Sequence, residues 1–193
     1  MEFDKVIKRI CGDYEFTYGI IFGNEKIVFI KAGAGGDYRG YRDKYLKMAI
    51  RAHKRMGATV ICASNPINSV STDRRAILKC VEMLGLSSFE LYLVGVSDGA
   101  YLNLLLASKM PEVKRMLLIN SSYIDAHGFV EKLKSFSNIE KIFVYGTEDK
   151  HFDTLMPEIE KARADSLEIL TVEGADHQFV GMLDAFISLI DLI

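Results

Sequence analysis

Tryptophan is absent from this chain of 193 residues, and prolines and cysteines number only three each. The cysteines, Cys11, Cys62 and Cys80, are odd in number and far apart, with no C-x-x-C pair. A zinc knuckle or a dithiol redox motif is therefore unsupported, and free thiols in a reducing cytosol are expected. No run of about 18 uncharged apolar residues occurs, so no bilayer-spanning helix is expected. Massed charge of one sign is lacking too. Net charge is −2 with Lys and Arg scattered, which excludes the basic footprint of a nucleic-acid binder. The opening MEFDKVIKRICGDYEF mixes both charge signs without an apolar core segment, so it does not read as a signal peptide. The expectation is a soluble, cytoplasmic protein.

What is present is ordinary globular composition, 49% hydrophobic and 26% charged. The length suits one domain, 1–193, large enough to bury a core without a disulfide or metal staple. Short β-branched runs alternate with segments of helical period. Phe16–Phe22 and Lys26–Ile30, separated by Gly23-Asn24-Glu25, read as an antiparallel hairpin. Tyr41, Tyr45, Met48, Ala49, Ala52 and Met56 mark one helix face, and Gly57 stops that helix. Strands follow at Ala58–Ala63, Leu91–Val96, Arg115–Asn120, Lys141–Tyr145 and Leu167–Val172. Between and after them, helices are expected from Ser71-Thr72-Asp73 to Gly85, and over Gly99–Met110, Phe129–Phe136, Met156–Ala164 and Gln178–Leu192. Such alternation predicts an α/β fold: a mainly parallel sheet with helices on both faces and the hairpin at one edge.

In an open α/β sheet, ligands meet the loops at the carboxyl ends of the strands. After Leu91–Val96 comes Gly95-Val96-Ser97-Asp98-Gly99, a G-x-S-x-G pentapeptide between a predicted strand and a predicted helix. The glycines permit a sharp turn that holds the Ser97 hydroxyl exposed above a helix N-terminus. A serine needs a base and an orienting acid to become a nucleophile. His177, in the short loop after the last strand, is the candidate base. His53 reads as a surface residue of its helix, while His127 and His151 follow strands and stay near. Asp149 after Lys141–Tyr145 is the leading acid, with Glu148 beside it and Asp125 a weaker rival. Asp176 adjoins His177, so its side chain diverges from the ring.

With these three loops in the order Ser97, Asp149, His177, the chain resembles a small serine hydrolase of the α/β-hydrolase fold. The likeness extends over almost the whole element order. It implies an acyl-enzyme route for esters, thioesters or amides of small molecules, with no metal or organic cofactor. It also implies an oxyanion hole from the backbone N–H groups of Asp98 and Ala34. The latter lies in Lys31-Ala32-Gly33-Ala34-Gly35-Gly36-Asp37, which is similar to the family's H-G-x-G-G loop but carries Ala32 where histidine is usual. That loop matches neither G-x-G-x-x-G nor a Walker motif. Only residues 121–138 separate two strands where family members often insert a cap, so a capless, open site is expected. The Asp98 carboxylate either attracts a substrate cation or favours its helix N-terminus. A binding protein without turnover and an acyltransferase using the same residues are the alternative functions. No role is assigned to Tyr38, Arg39, Tyr41 and Arg42, which follow the glycine-rich loop.

Overall fold

The computed structural model describes residues 1–122, 126–162 and 164–193. Eight strands form one sheet: β1 (Lys5–Cys11), β2 (Tyr14–Ile21), β3 (Asn24–Lys31), β4 (Ala58–Ala63), β5 (Glu90–Val96), β6 (Val113–Ile119), β7 (Glu140–Gly146) and β8 (Leu167–Val172). Their order is β1-β2-β4-β3-β5-β6-β7-β8. Strands β3 to β8 run parallel, while β2 is antiparallel to both β1 and β4. The helices are α1 (Lys44–Met56), α2 (Val70–Met83), α3 (Asp98–Ala107), α4 (Ala126–Lys134), α5 (Phe152–Ala162) and α6 (Leu183–Ser188). Among the described residues, α4 is the only element between β6 and β7, and no cap domain interrupts the chain there.

Period-two alternation of the strands divides the core between the two faces. On β3, Ile27 and Phe29 join Ile77 of α2 and Leu104 of α3 in one cluster. Val28 and Ile30 join Met48 and Ala49 of α1 and Phe186 of α6 in the other. Each of the larger side chains among these, Ile, Leu, Val, Met or Phe, contributes about 1.5–3 kcal/mol relative to exposure. Both faces of β4 are buried along its entire length, which demands a central place in the sheet.

That demand corrects the expected hairpin. Phe16–Phe22 and Lys26–Ile30 do form strands, but they do not pair, because β4 lies between them. The connection Gly23-Asn24 instead crosses the start of β4. Gly23 N–H donates to Thr59 Oγ1 at 2.9 Å, and a Cβ on Gly23 would meet the Gly57 carbonyl oxygen at 2.2 Å. The antiparallel pair at the sheet edge is β1 with β2. The sequence reading assigns no strand to β1, whose KVIKRIC is mostly exposed and charge-rich, as edge strands commonly are.

Two helix starts also differ from expectation. Gly40, Arg42 and Asp43 have positive φ, of 70°, 52° and 59°, so α1 begins at Lys44 and Tyr41 is left exposed. The last helix begins at Leu183 rather than Gln178. There Asp176 Oδ1 accepts from the N–H groups of Gln178 and Val180, and Phe179 takes φ 56°. A 3₁₀ turn, Leu189–Leu192, completes that segment.

Candidate active site

Four loops at the carboxyl ends of β3, β5, β7 and β8 meet above the sheet. Ser97 follows β5 with φ 54° and ψ −123°, a region that costs a non-glycine residue about 1–3 kcal/mol. The turn is held by Ser97 N–H donating to Ile119 O at 2.9 Å and by Ala100 N–H donating to Ser97 O at 3.0 Å. Its tightness depends on the flanking glycines. A Cβ on Gly95 would lie 2.4 Å from Ala100 Cα, and one on Gly99 would lie 2.4 Å from Lys31 O. Strand β3, the elbow and α3 are thus in backbone contact.

Ser97 Oγ stands 3.0 Å from His177 Nε2, and His177 Nδ1 stands 2.5 Å from Asp149 Oδ2. The other carboxylate oxygen of Asp149 accepts the His151 N–H at 2.9 Å. Among the described acid candidates, Asp149 alone is brought to the ring. Glu148 is exposed, Asp176 is turned into its own loop, and Asp125 lies outside the described residues, as does the side chain of His127. His53 Nδ1 contacts Ala58 O at 3.0 Å at the start of β4, and the His151 ring lies 6.3 Å from that of His177.

Burial raises the Asp149 pKa, but hydrogen bonds from His177 and the His151 N–H outweigh it and hold the carboxyl below the usual range. A depressed native pKa stabilises the fold fully above the unfolded value of about 3.9. That contribution disappears as pH falls through the lower native pKa. Acid unfolding of Asp149→Asn, followed by circular dichroism, is therefore expected to show a shallower pH dependence below about pH 4 than the parent. An identical slope would mean that Asp149 is not ionised in this contact.

The glycine-rich loop lies against the serine, since a Cβ on Gly33 would sit 3.1 Å from Ser97 Cβ. The N–H groups of Ala34 and Asp98 donate to no acceptor among the described residues. Asn65 exchanges two backbone bonds with the loop, Gly35 N–H to Asn65 O and Asn65 N–H to Gly36 O, each 2.8 Å. Lys31, the last residue of β3, has its fully buried ammonium 2.8 Å from Ser64 O and 2.8 Å from Asp73 Oδ2 of α2. Tyr18 donates its hydroxyl to Asp73 Oδ1 at 3.1 Å.

Asn120 ties the acid and base loops together. This buried residue, at φ 42°, donates Nδ2–H to Asp176 O at 3.1 Å and His177 O at 3.3 Å, and accepts Gly146 N–H at 2.8 Å. Sequence reasoning passed over Lys31, Asp73 and Asn120. For Lys31 and Asn120 the available signal was a strongly polar residue at the end of an apolar strand; Asp73, within α2, had none. Arg39 pairs with Glu2 and Asp43, away from Ser97.

A cleft of about 260 Å³ opens over Ser97, walled by Gly33, Ala34, Lys44, Tyr45, His177 and Gln178 among others. Asp98 is half-buried at the first position of α3, where its charge favours the helix N-terminus, and it is not part of that wall.

No protein-family model matches this chain, and no curated protein matches it in sequence. Its architecture nonetheless coincides with solved structures. Est1E from Butyrivibrio proteoclasticus superposes with a TM-score of 0.73 at 12% identity, covering 97% of this chain and 96% of that one. An alpha-beta serine hydrolase homologue from Coxiella burnetii gives 0.72 at 16% identity, with coverages of 98% and 97%. Dienelactone hydrolase from Anabaena variabilis gives 0.68 at 14% identity, with 96% and 93%. Near-complete mutual coverage, the strand order and the tight turn at Ser97 lead to one conclusion: the chain has the α/β-hydrolase fold.

Proposed function

We propose that the protein is a serine hydrolase that cleaves a small ester, or a related thioester or amide, through an acyl-enzyme on Ser97. The observation that carries this reading is the unbroken path Ser97 Oγ, His177 Nε2, His177 Nδ1, Asp149 Oδ2, with separations of 3.0 and 2.5 Å. The esterase and hydrolase names of the similar structures agree with it.

In the first half-reaction Ser97 Oγ attacks the substrate carbonyl carbon while its proton passes to His177 Nε2. The carbonyl π electrons move to oxygen, which faces the N–H groups of Ala34 and Asp98. Collapse of the tetrahedral species breaks the carbon–leaving-group bond, and His177 returns its proton to the departing oxygen, sulfur or nitrogen. Water then attacks the acyl carbon as His177 takes one of its protons. Breaking the ester bond to Ser97 restores the hydroxyl and releases the acid. Asp149 stays ionised throughout, holding the Nδ1 proton and favouring the imidazolium. Each step uses side chains and backbone already in place, so the reaction calls for no metal or organic cofactor. The cytoplasm is the proposed compartment, a reading supported by three free cysteines, one of them, Cys11, exposed.

A fluorophosphonate probe tests the nucleophile directly. Attack by Ser97 Oγ forms a phosphorus–oxygen bond and expels fluoride. Peptide mapping by mass spectrometry is expected to find one adduct, on Ser97, and none in His177→Ala. Wild-type protein that carries no adduct, or carries it on another serine, would end this assignment.

A further inference from the structure

Lys44, the first residue of α1, is a cation in an unusual position. Only 4% of it is exposed, yet its ammonium makes no hydrogen bond or ion pair with any described residue. It rests over the rings of Phe186, at 4.5 Å, and Tyr45, at 5.4 Å. Burial pushes its pKa below the ordinary lysine value, and Asp176 opposes that only through space. The neighbouring carboxylates of Asp43 and Asp37 are already engaged. Asp43 pairs with Arg39, and Asp37 Oδ1 accepts the N–H groups of Arg39 and Gly40.

The cleft over Ser97 continues past this lysine. A second cleft, of about 310 Å³, shares Tyr41, Lys44 and Gln178 with the first, and is floored by Phe179 and Phe186 with Arg42 at its rim. The left-handed residues Arg42 and Asp43 end the preceding turn so that α1 starts at this junction. The helix runs for 13 residues, and its Asp43 N-cap makes no side-chain capping bond. Its positive end therefore adds to the charge of Lys44. A largely desolvated cation with no counter-ion in contact is costly in isolation, and a charged hydrogen-bond partner supplied by a ligand relieves that cost.

Building on the serine-hydrolase reading, we propose that the preferred substrate is an anionic ester, and that Lys44 receives its carboxylate or phosphate-type group a few atoms from the reacting carbonyl. The cleft that attacks the carbonyl and the site that recognises the charge are then one continuous groove. Lys44 acts here as a specificity residue, since the bond-making steps do not involve it.

The experiment compares kcat/KM within matched pairs. Monoethyl glutarate and ethyl 4-phosphonobutanoate are set against ethyl pentanoate, which places the charge on the acyl side. The ester 4-acetoxybutanoate is set against butyl acetate, which places it on the alcohol side. An anionic advantage of about tenfold to a hundredfold is expected in at least one pair, as for a charge-assisted hydrogen bond. Lys44→Gln should erase most of that ratio. No advantage in any pair overturns the proposal, and so does a Lys44→Gln variant that slows charged and neutral members equally. Should that variant fail to fold, glutarate and inorganic phosphate must slow fluorophosphonate labelling of wild-type Ser97 more than pentanamide does. Equal rates would sink the idea. Labelling of Ser97 without anion preference refutes only the role of Lys44. Absence of labelling refutes the serine chemistry, and calorimetric binding of glutarate to wild type then decides the anion site alone.

Discussion

Alanine in place of Ser97 is expected to lower kcat on p-nitrophenyl acetate by about 10⁶-fold. Serine and alanine both carry a Cβ, so the cost of φ 54° is common to the two proteins and the fold should be unchanged. The comparison therefore isolates the hydroxyl. Histidine 177 replaced by alanine should fall as far, because a hydroxyl without its base is a poor nucleophile. The two losses should not add, since both residues serve one step. Asp149→Asn should lose less, about 10⁴-fold, because the ring remains placed but the asparagine amide competes for the wrong tautomer. Steady-state kinetics on the three variants, with circular dichroism to verify folding, decide the matter. If Ser97→Ala stays within tenfold of wild type, the hydroxyl is not the attacking group, whatever its distance from the imidazole.

The second large effect is one of stability. Removing the Asp73 carboxylate as Asp73→Ala leaves the Lys31 ammonium fully buried with only Ser64 O and a ring contact to Phe16 for company. Breaking one partner of a buried ion pair typically costs about 3–5 kcal/mol, a large fraction of the stability of a domain this size. Burial opposes both charges, pushing the lysine pKa down and the aspartate pKa up, and their contact at 2.8 Å works against that. The pair is thus conditional: harmful when halved, but not a large net gain when whole. Replacing both, as Lys31→Met with Asp73→Leu, should recover most of the lost stability in urea unfolding. Activity should not recover in parallel, because the Lys31 bond to Ser64 O also holds the segment after β4, whose Asn65 braces Gly35 and Gly36. A loss below about 1 kcal/mol for Asp73→Ala would mean that Lys31 reaches water or is neutral.

How much of this was legible in the sequence follows from which forces act locally. The elbow could be read because G-x-S-x-G prescribes residue types within five positions, and the close approaches at Gly95 and Gly99 are the reason for them. The candidate acid and base could be singled out from their places after strands, and the coordinates bring Asp149 rather than Glu148 to the His177 ring, while Asp125 lies outside the described residues. Lys31, Asn120 and Lys44 could not be read in this way. A charged or amide side chain in a sequence looks solvated until the elements that cover it are known. Lys44 is buried where two consecutive left-handed residues set the start of α1 beside the cleft. Strand order was invisible for a related reason, since pairing partners depend on burial from both faces rather than on spacing along the chain.

That strand order also constrains how the molecule is assembled. β2 pairs with no strand of the sheet except β1 and β4, so the amino-terminal ribbon has no strand to pair with until the segment up to Ala63 has been laid beside β3. The first residues of the chain are therefore among the last to be secured. When they detach, the backbone edge of the otherwise buried strand β4 is uncovered and can pair with water or another chain.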